Sequence, residues 1–231
     1  MQLTLSVIAF SQCLAISTIT ASLLPITQAE QEKLTPDKVL SRLMDGNQQY
    51  VKDNMAEPNL KARRPVATKG QFPQAYILSC VDSRVPVETV FNQGLGDIFV
   101  GRVAGNIENE DQLGSMEFAA KYSGVKLIMV MGHESCGAVK GACAGVEDGN
   151  LTLLLEKISP AIHKVDGFKA KDRTVENKKF VDQVIHQNVV RTVADVRERS
   201  DILSGLEEEG KIKIVGAVYS LNSGKVSVID G

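Results

Sequence analysis

Apolar runs of four to nine residues recur along the chain at 75–79, 97–100, 126–131 and 211–219, each rich in Val, Ile or Leu. Runs this short, closed by turn signals and lacking strict alternation, read as strands buried on both faces of a parallel sheet. A fifth run, 225–229, does alternate. It follows Asn222-Ser223-Gly224, a hairpin loop, and reads as an antiparallel edge strand. Between the runs lie helical stretches. Thr35-Pro36-Asp37 is an N-cap followed by a proline in the first turn, and Val39, Leu40, Leu43, Tyr50 and Val51 continue as an apolar stripe to about residue 53. Further helices are expected over 85–92, 112–122, 135–144, 151–164 and 174–199. The last carries Val181, Val184, Ile185, Val189, Thr192, Val193 and Val196 near one stripe. Residues 54–73, rich in Pro, Lys and Arg, read as loop, with Lys61, Arg63 and Arg64 on a solvated face; residues 30–33 read as a polar linker. Strands alternating with helices give an α/β class: four parallel strands plus a C-terminal antiparallel edge strand, with helices on both faces.

Composition narrows this picture without redirecting it. Residues 30–231 suit a single domain with one core. With 43% hydrophobic residues and no tryptophan, that core is aliphatic. A net charge of −2 leaves no electrostatic footprint for nucleic acid. The pair Gly94 and Gly96 is not a dinucleotide fingerprint, and no internal repeat is present. Residues 1–29 hold no charged side chain and end Pro25-Ile26-Thr27-Gln28-Ala29, which reads as a secretory signal peptide cleaved after Ala29. Gln12 and the scattered Ser and Thr residues make the segment a poor permanent anchor, so the mature chain is expected off the membrane, in the periplasm or secreted. Such cleavage would remove one of four cysteines and leave Cys80, Cys136 and Cys143, an odd number that forms no disulfide framework.

The chemistry concentrates in two segments, each placed after a strand: Ser79-Cys80-Val81-Asp82-Ser83-Arg84 and Gly132-His133-Glu134-Ser135-Cys136-Gly137. Open α/β sheets place their sites at the carboxyl ends of strands. Cys80, His133 and Cys136 offer two thiolates and an imidazole, a set suited to zinc and ill suited to calcium or magnesium. Three protein ligands leave a fourth position open, as catalytic zinc sites do. Ser135 is an N-cap candidate for the helix after His133. Asp82 can either bind the metal or orient its water, and Arg84 can hold that carboxylate in a fixed fork. Read singly, each residue is an ordinary buried cysteine, core histidine or local ion pair; placed together at strand ends, they read as a metal site. Cys143 reads as a small packed residue, and His163 and His186 as non-ligands.

Cys80-x-Asp82-x-Arg84 and His133-x-x-Cys136-Gly137, about fifty residues apart, resemble the β-class carbonic anhydrases. Arg102-Val103-Ala104-Gly105-Asn106, Gly114-Ser115-Met116-Glu117-Phe118-Ala119 and the segment from Gly216 to Lys225 add to the likeness. The resemblance implies strand order 2-1-3-4 with the fifth strand outermost. It implies one zinc per chain and a lyase that hydrates carbon dioxide reversibly to bicarbonate and a proton, by attack of a zinc-bound hydroxide. It further implies that Cys80, His133 and Cys136 bind the metal, that Asp82 and Arg84 form the catalytic pair, and that Asp82 becomes a fourth ligand in a closed form. Homodimers or homotetramers, with the N-terminal helix reaching a partner, also follow from it. Pro86-Val87 stands where many relatives have two prolines, and the absence of tryptophan removes the second bicarbonate site some bacterial relatives carry. Three alternatives stand beside this: the same fold acting on another small electrophile such as carbon disulfide, a structural zinc module with four protein ligands, and a dithiol redox protein using Cys80 and Cys136.

Overall fold

A computed structural model describes residues 24–55 and 59–229. Residues 1–23, most of the expected signal segment, lie outside it. In chain order the elements are α1 (Gln28–Gln31), α2 (Pro36–Val51), α3 (Leu60–Ala67), β1 (Ala75–Ser79), α4 (Val87–Val90), β2 (Ile98–Arg102) and a 3-10 turn (Ala104–Asn106). There follow α5 (Glu110–Glu117), running on as a π-helical turn (Phe118–Tyr122), then β3 (Leu127–His133), α6 (Gly137–Cys143), α7 (Gly149–Glu156) and α8 (Ser159–Lys164). The chain closes with α9 (Lys178–Arg199), α10 (Asp201–Glu208), β4 (Lys213–Tyr219) and β5 (Val226–Ile229). One sheet forms, ordered β2-β1-β3-β4-β5, with β5 alone antiparallel. That is the expected order and class.

Both faces of the sheet are covered, which is why its central strands are apolar up to their carboxyl ends. Every residue of β1 and β3 is buried. Ala75, Ile77, Leu127, Met129 and Met131 point to one face, where Val39 and Leu43 of α2 and Val87, Val90 and Phe91 cover them. Tyr76, Leu78, Ile128 and Val130 point to the other, under α5, α9 and α10. Fully burying each such aliphatic side chain is worth about 1.5–3 kcal/mol. Helix α9 lies unusually close to the sheet: a Cβ on Gly132 would stand 2.6 Å from Val189 Cγ2, and one on Gly216 would stand 2.9 Å from its Cγ1. Only glycine at those two strand positions lets the helix backbone approach so near. A third cluster, built by α6, α7, α8 and α9, closes over the carboxyl ends of β1 and β3 and includes Cys80 and Cys136.

Several local expectations are corrected. Residues 54–73 are not all loop. Asn59 caps α3 by accepting from the Ala62 N–H, and Arg63 is buried, paired with Asp97 at 2.9 Å, rather than solvated. The linker at 30–33 begins as helix: Thr27 and Glu30 form a capping box on α1, and buried Gln31 donates to the Pro73 and Ser123 carbonyls. The helix expected over 151–164 is two helices, with Pro160 in the first turn of the second. The helix expected from 174 starts at Lys178, capped by Asn177. Helix α10, capped by Ser200, was not anticipated. Among the described residues no helix is long and apolar enough to cross a membrane.

Candidate metal centre

Cys80 directly follows β1, and His133 ends β3, its parallel neighbour. The register that sets Ser79 beside Met131 brings the two strand ends together. After His133 the chain reverses sharply. Ser135 takes a φ of 55°, in the left-handed region that β-carbon-bearing residues avoid, so it is not the helix cap; Cys136 occupies that position, with α6 starting at Gly137. The reversal carries Cys136 back to the strand ends. Its Sγ, the Cys80 Sγ and a His133 ring nitrogen all lie within 4.8 Å of one another, and all three residues are buried. His163 and His186 are not part of this cluster.

The geometry fits a metal. The two sulfurs are 4.0 Å apart, and two thiolates at about 2.3 Å from one tetrahedral zinc would stand about 3.8 Å apart. His133 Nδ1 lies 2.9 Å from the Glu134 carbonyl oxygen. That fixes the proton on Nδ1 and leaves Nε2 as a lone-pair donor. Nε2 is buried without a hydrogen-bond partner. Leaving such an atom unsatisfied costs about 1–3 kcal/mol, a cost that coordination would remove.

Without a metal the two thiols share their chemistry unequally. The Cys136 thiol and the Gly105 N–H, 3.3 Å away, both donate to the Cys80 sulfur. These contacts pull Cys80 down to about 4, while Cys136, which keeps the shared proton beside that thiolate, is pushed up.

Asp82 and Arg84 form the expected fork. Arg84 Nε donates to Asp82 Oδ1 at 2.9 Å and Nη2 to Oδ2 at 2.7 Å; the Arg84 backbone N–H adds a third bond at 2.9 Å. Arg84 thereby holds the Asp82 carboxyl well below the usual carboxylate range. Oδ2 stands 3.8 Å from His133 Nε2, adjacent to the ligand cluster but outside it.

Residues 75–226 match the family described as carbonic anhydrase. Carbonic anhydrase 2 of Mycobacterium tuberculosis is 36% identical over 196 residues, covering 81% of this chain and 90% of that protein. The chain belongs to the β-carbonic anhydrase family. The carbonic anhydrase of Mycolicibacterium smegmatis is likewise 36% identical, over 80% of this chain and 89% of its own length. Among solved structures, the Coccomyxa β-carbonic anhydrase in complex with acetazolamide superposes with a TM-score of 0.66 at 25% identity, over 82% of this chain and 86% of that one. A Sordaria macrospora β-carbonic anhydrase, described as tetrameric, shares the fold with a TM-score of 0.63 at 22% identity, over 72% and 85%.

Two parts of this β-carbonic anhydrase site were not anticipated as roles. Arg102, at the end of β2, donates from Nε to the Cys80 carbonyl at 2.8 Å and from Nη2 to the Asp82 carbonyl, clamping the loop that carries both residues. The sequence marks Arg102 only by its place in the Arg102–Asn106 segment. The Gly105 N–H on the Cys80 sulfur is a backbone contact, which no side-chain pattern announces. A separate cleft of about 590 Å³, lined by Ile107, Glu108, Arg191 and Arg199 among others, contains none of the ligand residues. Its arginines are paired within it, Arg191 with Asp195 and Arg199 with Glu108.

Proposed function

We propose that this chain is a zinc-dependent carbonic anhydrase, a lyase that interconverts carbon dioxide and water with bicarbonate and a proton. One observation carries the reading: the partnerless, buried Nε2 of His133 beside two sulfurs 4.0 Å apart. Cys80, His133 and Cys136 would hold the zinc. When bound, zinc is a Lewis acid that lowers the pKa of water toward about 7.

The chain's own residues do the rest. Held by Arg84, Asp82 presents a fixed, ionised acceptor beside the ligands, able to accept a hydrogen bond from the reacting water and orient its oxygen toward carbon dioxide. Arg102 keeps the Cys80 and Asp82 backbone in place during that exchange. Freed from Arg84, the Asp82 carboxylate is near enough to join the ligand set and close the site. The fork between Asp82 and Arg84 favours the catalytic reading over a structural zinc module, which needs four protein ligands at all times.

The assembly and location belong to the same proposal. The tetrameric Sordaria relative supports a homodimer or homotetramer, with Val39 and Leu43 of α2 packed in their own domain and the exposed Val51 free to meet a partner. The apolar stretches within residues 1–24 and the small residues before a cut at Ala29 support export to the periplasm or beyond, leaving 30–231 as the single mature domain. A cut after Ala29 falls inside α1, and N-terminal sequencing of the exported protein checks it.

The deciding experiment is stopped-flow carbon dioxide hydration with zinc content measured on the same sample. Fast turnover at one zinc per chain is expected. Full zinc with no hydration would overturn the reading in favour of a structural site, or of carbon disulfide if that substrate turns over.

A further inference from the structure

Gly105 occupies a position that its own sterics do not hold. Its φ is +72°, and a Cβ there would stand 2.6 Å from Ile158 Cδ1, so the site accepts only the residue with the loosest backbone. Yet its N–H must stay aimed at the Cys80 sulfur, 3.3 Å away. The turn is closed internally by the Asn106 N–H donating to the Val103 carbonyl at 2.9 Å, and a second restraint reaches Gly105 itself. It comes from Asn188 on α9: Nδ2 donates to the Gly105 carbonyl at 2.8 Å. Asn188 is itself only 2% exposed, and its backbone carbonyl accepts from Thr192 Oγ1 at 2.8 Å. The helix that carries it is pressed onto β3 and β4 through Val189 at the two strand glycines. Asn188 is thus a fixed post one residue from the point where the helix meets the sheet.

We propose that Asn188 is a positioning residue for the metal centre: by pinning the Gly105 carbonyl it holds the Gly105 N–H on the Cys80 sulfur. The proposal rests on Cys80, His133 and Cys136 being the ligand set. Its chemical meaning follows from the donors. Two thiolates give a metal more charge than imidazoles do, and a hydrogen bond to one sulfur withdraws part of that charge and keeps the metal a stronger Lewis acid. Groups that act on a ligand in this way typically change metal affinity or activity about 10–100-fold.

The test is spectroscopic. In the cobalt(II)-loaded Asn188→Ala protein the sulfur-to-cobalt charge-transfer band is expected at longer wavelength than in the cobalt(II)-loaded wild type. Loss of zinc to a chelator is expected to be about tenfold faster. Thr192→Ala, which removes a neighbouring bond on the same helix turn, is expected to lower the melting temperature and leave the band where it was. An Asn188→Ala band at the wild-type position, or an equal shift in Thr192→Ala, would overturn the proposal, since helix packing alone would then account for Asn188. A second measurement needs no variant: in the cadmium-113-loaded wild type, the Gly105 amide proton should show scalar coupling to the metal through the sulfur, and no coupling would overturn the proposal even if Asn188→Ala does not fold. A wild type that takes up neither cobalt nor cadmium would instead overturn the ligand set, and the proposal with it.

Discussion

Strand β1 has a buried polar cluster at each end, and the two are built on opposite terms. At the amino end, Arg63 and Asp97 form an ion pair at 2.9 Å with side-chain exposures of 4% and 11%. Arg63 also donates to the Leu95 carbonyl, and Asp97 Oδ2 accepts from the Gly94 N–H. That cluster is satisfied by the chain itself. At the carboxyl end, Cys80, His133 and Cys136 are as deeply buried, yet His133 Nε2 has no partner. A buried polar group normally finds a partner in the protein or in water. Where the chain supplies everything, the cluster serves folding; where a ring nitrogen stays open beside two sulfurs, as His133 Nε2 does, the cluster could hold a metal ion. Burial and charge alone do not separate the two, whereas an open ring nitrogen among converging metal-ligand atoms does.

Two substitutions set the ends against each other. His133→Ala should lose zinc to below a tenth of stoichiometry and fall to the uncatalysed hydration rate, while the metal-free chain still unfolds cooperatively. Asp97→Ala should do the reverse. It leaves the Arg63 charge buried without its carboxylate and should cost about 3–5 kcal/mol of stability, read by denaturant unfolding, with zinc content per folded chain unchanged. An Asp97→Ala protein that unfolds like the wild type, or that loses its zinc, would break the contrast.

The carboxyl-end cluster was legible in the sequence and the amino-end one was not, for a physical reason. Cys80, His133 and Cys136 are scarce residue types whose chemistry is narrow, and the two segments that carry them each follow a short apolar run that reads as a buried strand. Lys61, Arg63 and Arg64 look alike in sequence, and nothing local says that Arg63 alone turns inward; its partner is 34 residues away. The same limit hid α3, whose start depends on one capping bond from Asn59, and the break between α7 and α8. The strand order was legible only through resemblance, because register is set by packing across the sheet. Ser135 misled for the opposite reason. A serine before a helix is a good cap, but the turn that returns Cys136 to the ligands needs a left-handed residue there, and the site geometry prevails over the local preference.

Arg84→Ala sharpens the contrast within the open cluster, separating the groups that would hold the metal from those that aim the chemistry. Zinc should remain at one per chain, with turnover down about 10–100-fold. The charge of Asp82 is not what would be lost. Arg84 holds its carboxyl well below the usual carboxylate range, and even at the ordinary value of about 3.9 it is ionised throughout the neutral range. A rise in wild-type turnover between about pH 6.5 and about pH 9 would therefore not be Asp82 losing a proton; it would report the reacting water, whose pKa a zinc site brings toward about 7. Arg84→Lys keeps the charge and loses the planar fork, so it should recover little. Full activity in Arg84→Lys would show that charge alone suffices.

The smallest effect is in the metal-free protein and concerns how the open cluster bears its incompleteness. Cys80 is held at about 4 by the Cys136 thiol and the Gly105 N–H, below the value of about 8.5 expected in the unfolded chain. Its folded pKa being the lower one, its ionisation contributes stability that is full above the unfolded value and is lost as pH falls through about 4. Cys136 runs the other way: its folded pKa is raised, so its contribution is present below the unfolded value and fades as pH rises past it. Metal-free wild type should therefore gain stability over metal-free Cys80→Ser as pH rises from about 4 toward about 8.5, and the gain should shrink beyond that. Denaturant unfolding of both proteins across pH measures this, with thiolate absorbance following the charge directly. A difference that stays flat with pH would mean that both thiols keep their protons. The shared-proton arrangement also sets the count on metal uptake: with Cys80 already ionised at neutral pH, binding zinc should release about one proton per chain, from Cys136, rather than about two.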